Sequence, residues 1–220
     1  MKTTKKVALA LACVFALGAG SAFAANDFVT LPMQEKRPVV TNAEGALAAV
    51  DVKPEVLRSP AIYTTRGKIV AIEDGRYVVK GEGSRKLIAA SVDNNTYIAD
   101  GVTGKLRLPR ALAVGQEVTV YYSPIMTRSL PGQSHAYAII MGEADEKTAA
   151  YYEVEQAVIA ADSSYVTLLN TNNNLIATVD AKACKNFAKI KKGDKLLLWS
   201  SFATMSLPAQ TNADKVVVLP

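Results

Sequence analysis

Hydroxyl and carboxamide side chains recur at fixed spacing in two places along the chain. Residues 127–136 read TRSLPGQSHA and residues 204–213 read TMSLPAQTNA, one pattern repeated 77 positions later. Ser129, Gln133 and Ser134 in the first copy, with Ser206, Gln210 and Thr211 in the second, are the candidate ligand-binding residues. Each offers hydroxyl or amide groups suited to sugars or to a peptide backbone. The pattern also has a purely structural explanation. Leu130 and Leu207 would plug the end of a folded unit and Pro131 and Pro208 would set turns. The Ser and Gln side chains would then satisfy loop backbone groups.

Other chemistry is sparse. His135 is the one histidine, and pairing it with Ser129 or Ser134 would give a hydrolase. Its counterpart in the second copy is Asn212, and no Gly-x-Ser-x-Gly elbow is present, so no catalytic residue is assigned. Met126, His135 and Met141, with Met205 in the second copy, suggest a periplasmic copper site of thioether and imidazole ligands. Methionines beside apolar strands are more often core filler, so the expectation is no metal and no cofactor. Cys184 stands where the first copy has Tyr97, which suggests a partly buried packing position. A disulfide between chains is its alternative use.

These residues must be positioned by whatever follows an export signal. Lys2, Lys5 and Lys6 precede the apolar run VALALACVFALGAG, and Ala22-Phe23-Ala24 is an A-x-A cleavage site, so residues 1–24 read as a signal peptide. A lipid-anchored variant would use Cys13 but would shorten the apolar region to a handful of residues. No later stretch approaches the ~20 apolar residues of a transmembrane helix. The whole chain has 25 basic and 20 acidic residues; the signal holds three lysines and no acids, leaving 22 against 20, or +2. Lys185, Lys189, Lys191, Lys192 and Lys195 are interleaved with Phe187 and Ile190, the pattern of a solvated face rather than of a phosphate-binding stripe. Nucleic acid is not an expected partner.

Beyond the signal, two β-rich copies make up most of the chain. KIVAIEDGRYVVKG (68–81) and AVIAADSSYVTLLN (157–170) each read as a β-hairpin, with Val70 aligned to Val158 and Tyr77 to Tyr165. LIAASVD (87–93) and LIATVD (175–180) supply a third strand. The irregular stretch that follows, 94–114 or 181–192, is about ten residues shorter in the second copy. Val114-Gly115-Gln116 and Lys192-Gly193-Asp194 then lead into EVTVYYS and KLLLWSS, and the repeated phrase precedes a fifth strand. Five strands with a variable connection after the third resemble the oligonucleotide/oligosaccharide-binding (OB) barrel, and the glycine turn before strand four resembles small exported bacterial β-barrel domains. The likeness spans 64–142 and 152–219. It implies a fold and carries no activity across; an SH3-like barrel or a small sandwich is the rival.

The expected organisation is all-β, with two tandem five-stranded OB-like barrels after an extended arm. The segments are a signal peptide (1–24), a Pro-containing arm (25–62), barrel repeat 1 (63–142), a linker (143–151) and barrel repeat 2 (152–220). Strand alternation should send one tyrosine of Tyr121-Tyr122, and one of Tyr151-Tyr152, into a core and the other outward, with Trp199 in core or junction. The expected function is a non-enzymatic exported protein, periplasmic, extracellular or at the cell surface, acting by binding or assembly. Its partners would be an envelope glycan or a protein, with self-association through the arm. The alternatives are a secreted hydrolase with its site at the domain junction, built on His135 or Cys184, and a periplasmic copper-binding protein.

Overall fold

Runs of β-branched and aromatic residues alternating with polar ones carry the chain into strands. The computed structural model describes residues 60–81, 87–143 and 148–220, all within one compact unit. The expected signal, nearly all of the arm and the middle of the linker lie outside the described residues.

The first copy forms β1 (Tyr63–Glu73), β2 (Arg76–Gly81), β3 (Leu87–Ser91), β4 (Tyr97–Asp100), β5 (Glu117–Tyr122) and β6 (Gly132–Met141). β1 pairs with β2 and β5, β2 with β3, and β6 runs parallel to β3 and antiparallel to β5. The ring β1-β2-β3-β6-β5 is closed, and its connectivity is that of an OB-type barrel. Short β4 lies parallel to β6 inside the irregular stretch. Ile69, Val79, Ile88, Val120, Tyr122 and Ile139 fill the core.

The second copy forms β7 (Ala150–Ile159), β8 (Tyr165–Asn170), β9 (Leu175–Asp180), β10 (Lys195–Trp199), β11 (Ala209–Asn212) and β12 (Lys215–Val218). β11 pairs in parallel with β9 while β12 pairs antiparallel with β10, so the strand that is continuous as β6 is here two pieces. Asn212 and Asp214, poor strand formers, flank the break, where the Ala213 amide bonds Thr178 and the Asp214 amide bonds Trp199. The result is a curled half-barrel around Tyr152, Leu168, Val179, Leu196 and Leu198. Phe187 and Ile190 turn inward from a 3-10 turn (Phe187–Lys189), leaving Lys185, Lys189, Lys191 and Lys192 in solvent. Cys184 packs against the same core. Among the described residues no helix is long and apolar enough to cross a membrane.

One alignment needs correction. The first hairpin turns on Asp74 and Gly75, both at positive φ (48° and 73°), between the paired Glu73 and Arg76, as a tight hairpin requires. In the second copy the Ala160 amide bonds Tyr165 across residues 161–164. The longer turn shifts the register, so Tyr77 is buried and donates to the Pro109 carbonyl at 3.1 Å, whereas Tyr165 is half-buried and Val166 enters the core.

A third apolar cluster joins the copies. Ile62, Ala99, Tyr121, Ala138 and Ile140 from the first meet Ala149, Tyr151, Leu197, Trp199 and Leu219 from the second. Each tyrosine pair divides as alternation demands: Tyr122 and Tyr152 enter the cores, Tyr121 and Tyr151 enter the junction with rings 5.5 Å apart. The Trp199 indole N–H donates to the Gly101 carbonyl at 2.9 Å. Gly104, at φ +75°, lies beneath that indole, and a Cβ there would stand 2.6 Å from the ring, so only glycine fits. Asn172 clamps the start of β1, accepting from the Ile62 amide and donating to its carbonyl, both at 2.9 Å.

Candidate functional site

Pairing between β5 and β6 continues past the barrel wall: the Ser123 amide bonds His135 at 3.0 Å and the Thr127 amide bonds Gln133 at 2.9 Å. The repeated phrase is therefore the apex of a projecting hairpin. Thr127 Oγ1 accepts the Gln133 N–H at 2.9 Å and lies 2.6 Å from Ser129 Oγ, which donates to the Pro131 carbonyl at 2.8 Å. Serine has one O–H, so Thr127 is the donor in the bond to Ser129. The second hairpin repeats this network. Thr204 Oγ1 accepts the Gln210 N–H at 2.8 Å and lies 2.7 Å from Ser206 Oγ, which donates to Pro208 at 2.8 Å. Leu130-Pro131 and Leu207-Pro208 are both cis.

The next hydroxyl also turns inward. Ser134 Oγ lies 2.8 Å from the Ser123 carbonyl and 3.0 Å from that of Ile125, and Thr211 Oγ1 bonds the Phe202 carbonyl. Of the six candidate residues, Ser129, Ser134, Ser206 and Thr211 thus use their single O–H inside the hairpins. Gln133 Oε1 meets Arg76 at 3.4 Å, and the half-buried Gln210 carboxamide makes no hydrogen bond among the described residues.

Apart from the bonded hydroxyls, what faces outward is largely apolar, with Arg128 the one charge on the first tip. Leu130 is 100% exposed and Leu207 81%, so neither plugs a barrel; the continued ladder carries each apex past the wall instead. Ile125 and Phe202, at equivalent positions, are 83% and 72% exposed, and Met205 is fully exposed. Sequence reasoning missed Ile125, Phe202 and Met205 as display residues. A signal was present: no acid occurs between Tyr122 and Gly142, and no charge between Trp199 and Ala213.

The remaining candidates are scattered. His135 lies on the outer face of β6, 3.8 Å from Asp93 and edge-on to Tyr137, while Ser129 and Ser134 bond carbonyls. Met126 and Met141 pack against the first core and Met205 projects from the other hairpin. Among the described residues no three His, Cys, Asp or Glu side chains are grouped to hold a metal. Cys184, against the second core, is not gathered with His135.

The two hairpins leave the junction at opposite ends. β10 starts at Lys195, whose ammonium lies 5.3 Å over the Tyr97 ring; Tyr97 is level with Ala138 and Tyr121, near the end of β5. β10 finishes at Trp199, bonded to Gly101, whose amide bonds Met141, the partner of Val118 near the start of β5. Across the junction β5 and β10 are therefore antiparallel.

A cleft of about 210 Å³ opens where the first hairpin departs, lined by Ala61, Ile62, Tyr137, Glu153, Thr171 and Lys195. Burial, with the Glu153 carboxylate beside it, pushes the Tyr151 phenol far above its ordinary range, and burial raises Tyr121 as well. Neither phenol serves as a base near neutral pH. No protein-family model matches the chain, and no curated protein is similar to it.

Proposed function

We propose that this chain is an exported, non-enzymatic protein of the cell envelope or surface that acts by binding and assembly, through two rigid apolar-tipped hairpins on fused barrels. The observation that supports this reading most is the inversion of polarity in the repeated phrase. Hydroxyls face in, where they fix the backbone, and large apolar side chains face out, an arrangement that adds nothing to the chain's own core. Such exposure marks contact surfaces. Apolar tips suit a protein partner better than a glycan, whose hydroxyls would meet few free donors there.

The test is a fourfold variant, Ile125→Asp, Leu130→Asp, Phe202→Asp and Leu207→Asp, in the full chain recovered after export. All four side chains are solvent-exposed, so circular dichroism should match the parent. The expected result is loss of self-association and of retention on purified envelope fractions. Unchanged retention, or a hydrolytic activity abolished by His135→Ala, would overturn the proposal.

A further inference from the structure

We propose that the hairpin between β10 and β11 of one copy docks into the junction cleft of a second copy, with Phe202 and Leu207 supplying the apolar tip. This deepens the binding-and-assembly reading, on which it rests, by naming the partner as the chain itself. Within one copy the tip and the cleft lie at opposite ends of the junction, so contact between them has to be made between copies. The cleft's volume of about 210 Å³ equals roughly seven waters at ~30 Å³ each, room for one large side chain.

Chemistry matches on both sides. Ala61, Ile62 and the Tyr137 ring give apolar contact for the tip's Phe202 and Leu207, while Thr171, Glu153 and Lys195 form a polar rim around them. The tip carries no charge, so neither rim charge repels it. The first hairpin fits less well: it has Arg128 where the second has Met205, and it departs from the cleft's own end. A flat bilayer, the other surface that accepts apolar tips, would engage one end of the junction at a time and leave the cleft without a role.

A single tip-in-cleft contact is small, and interfaces below ~1,200 Å² are weak. Association should therefore depend strongly on concentration. Two copies exchanging tips reciprocally would close as a dimer, and one-way docking would grow open chains.

The experiment is light scattering over a concentration series on the exported chain and two variants. Phe202→Asp with Leu207→Asp removes the tip, and Ala61→Trp fills the cleft from an exposed position. The wild type should rise in mass, to twice the monomer or beyond, while each variant alone stays monomeric. Mixing the variants should restore association, because one keeps its cleft and the other its tip. A wild type monomeric at every concentration, a variant that still associates, or a mixture that stays monomeric overturns the proposal. A monomer that sediments with phosphatidylglycerol vesicles also overturns it while leaving the binding reading intact. A chain that neither associates nor binds vesicles or envelope fractions fails both.

Discussion

The two hairpins carry the same hydrogen-bond network, yet the barrels beneath them close differently. In the first copy β6 is one continuous strand that seals the ring; in the second the equivalent segment breaks into β11 and β12. The hairpin network spans only a few residues, from Thr127 to Gln133 and from Thr204 to Gln210, so it forms whatever the barrel does. Closure instead needs distant strands held in register. The first copy's extra residues sharpen the contrast: they build β4 and the turn from Asp100 to Gly104, on which Trp199 of the second copy sits. The insertion that makes the copies unequal thus also contributes to the joint between them, alongside Ile62, Tyr121, Ala138 and Ile140.

The largest effect should follow from breaking that joint. Trp199→Ala removes a buried indole and leaves the Gly101 carbonyl without this donor, a loss of about 3–5 kcal/mol by the usual cost of such truncations. The Lys215 ammonium, 4.3 Å from the indole ring centre, loses that contact and keeps its bond to the Thr103 carbonyl at 3.1 Å. Calorimetry should then resolve two melting transitions in place of one, since the unequal halves no longer unfold together. A single transition with a loss below about 0.5 kcal/mol, within the range of ordinary surface changes, would mean that the joint is not what couples them.

Much of this architecture was legible in the sequence. Strand runs, glycine turns and the doubled phrase led to two OB-like units, and alternation correctly divided Tyr121 from Tyr122 and Tyr151 from Tyr152. The constant-offset pairing of Tyr77 with Tyr165 failed because a four-residue turn replaced a two-residue one, and each such change moves a strand's register. The orientation of Leu130 and Leu207 was not legible for another reason. An apolar residue in a loop reads as buried unless one knows that the strand ladder continues beyond the wall, and that is a property of backbone pairing rather than of composition. The cleft, assembled from residues as distant as Ala61 and Lys195, had no local signal at all.

A moderate effect is expected at the Asp100 turn. Its carboxylate accepts the Thr103 amide and hydroxyl, each at 2.8 Å. These bonds, with Arg107 nearby, hold it below its ordinary 3.8. A carboxylate lowered on folding adds stability above its unfolded value and loses it as pH falls through the folded value. Asp100→Ala should therefore cost about 1 kcal/mol near neutral pH, with the gap to wild type narrowing as pH drops below 3.8. Urea titrations across that range check this, and a gap that stays constant with pH would assign the loss to packing rather than to charge.

The smallest effect should have the opposite sign and fall on the second half alone. Thr167 sits on β8 between Val158 and Thr178, and its hydroxyl is buried without a hydrogen-bond partner among the described residues. A buried unsatisfied hydroxyl is a net cost, so Thr167→Val should stabilise by up to about 1 kcal/mol. Placed in the Trp199→Ala background, it becomes a label for the uncoupled transitions. The half-barrel, with its split final strand, should melt first, and Thr167→Val should raise that lower transition while leaving the upper one in place. If the upper transition moves instead, the closed ring is the weaker half, and continuity of β6 is not what sets the order of unfolding.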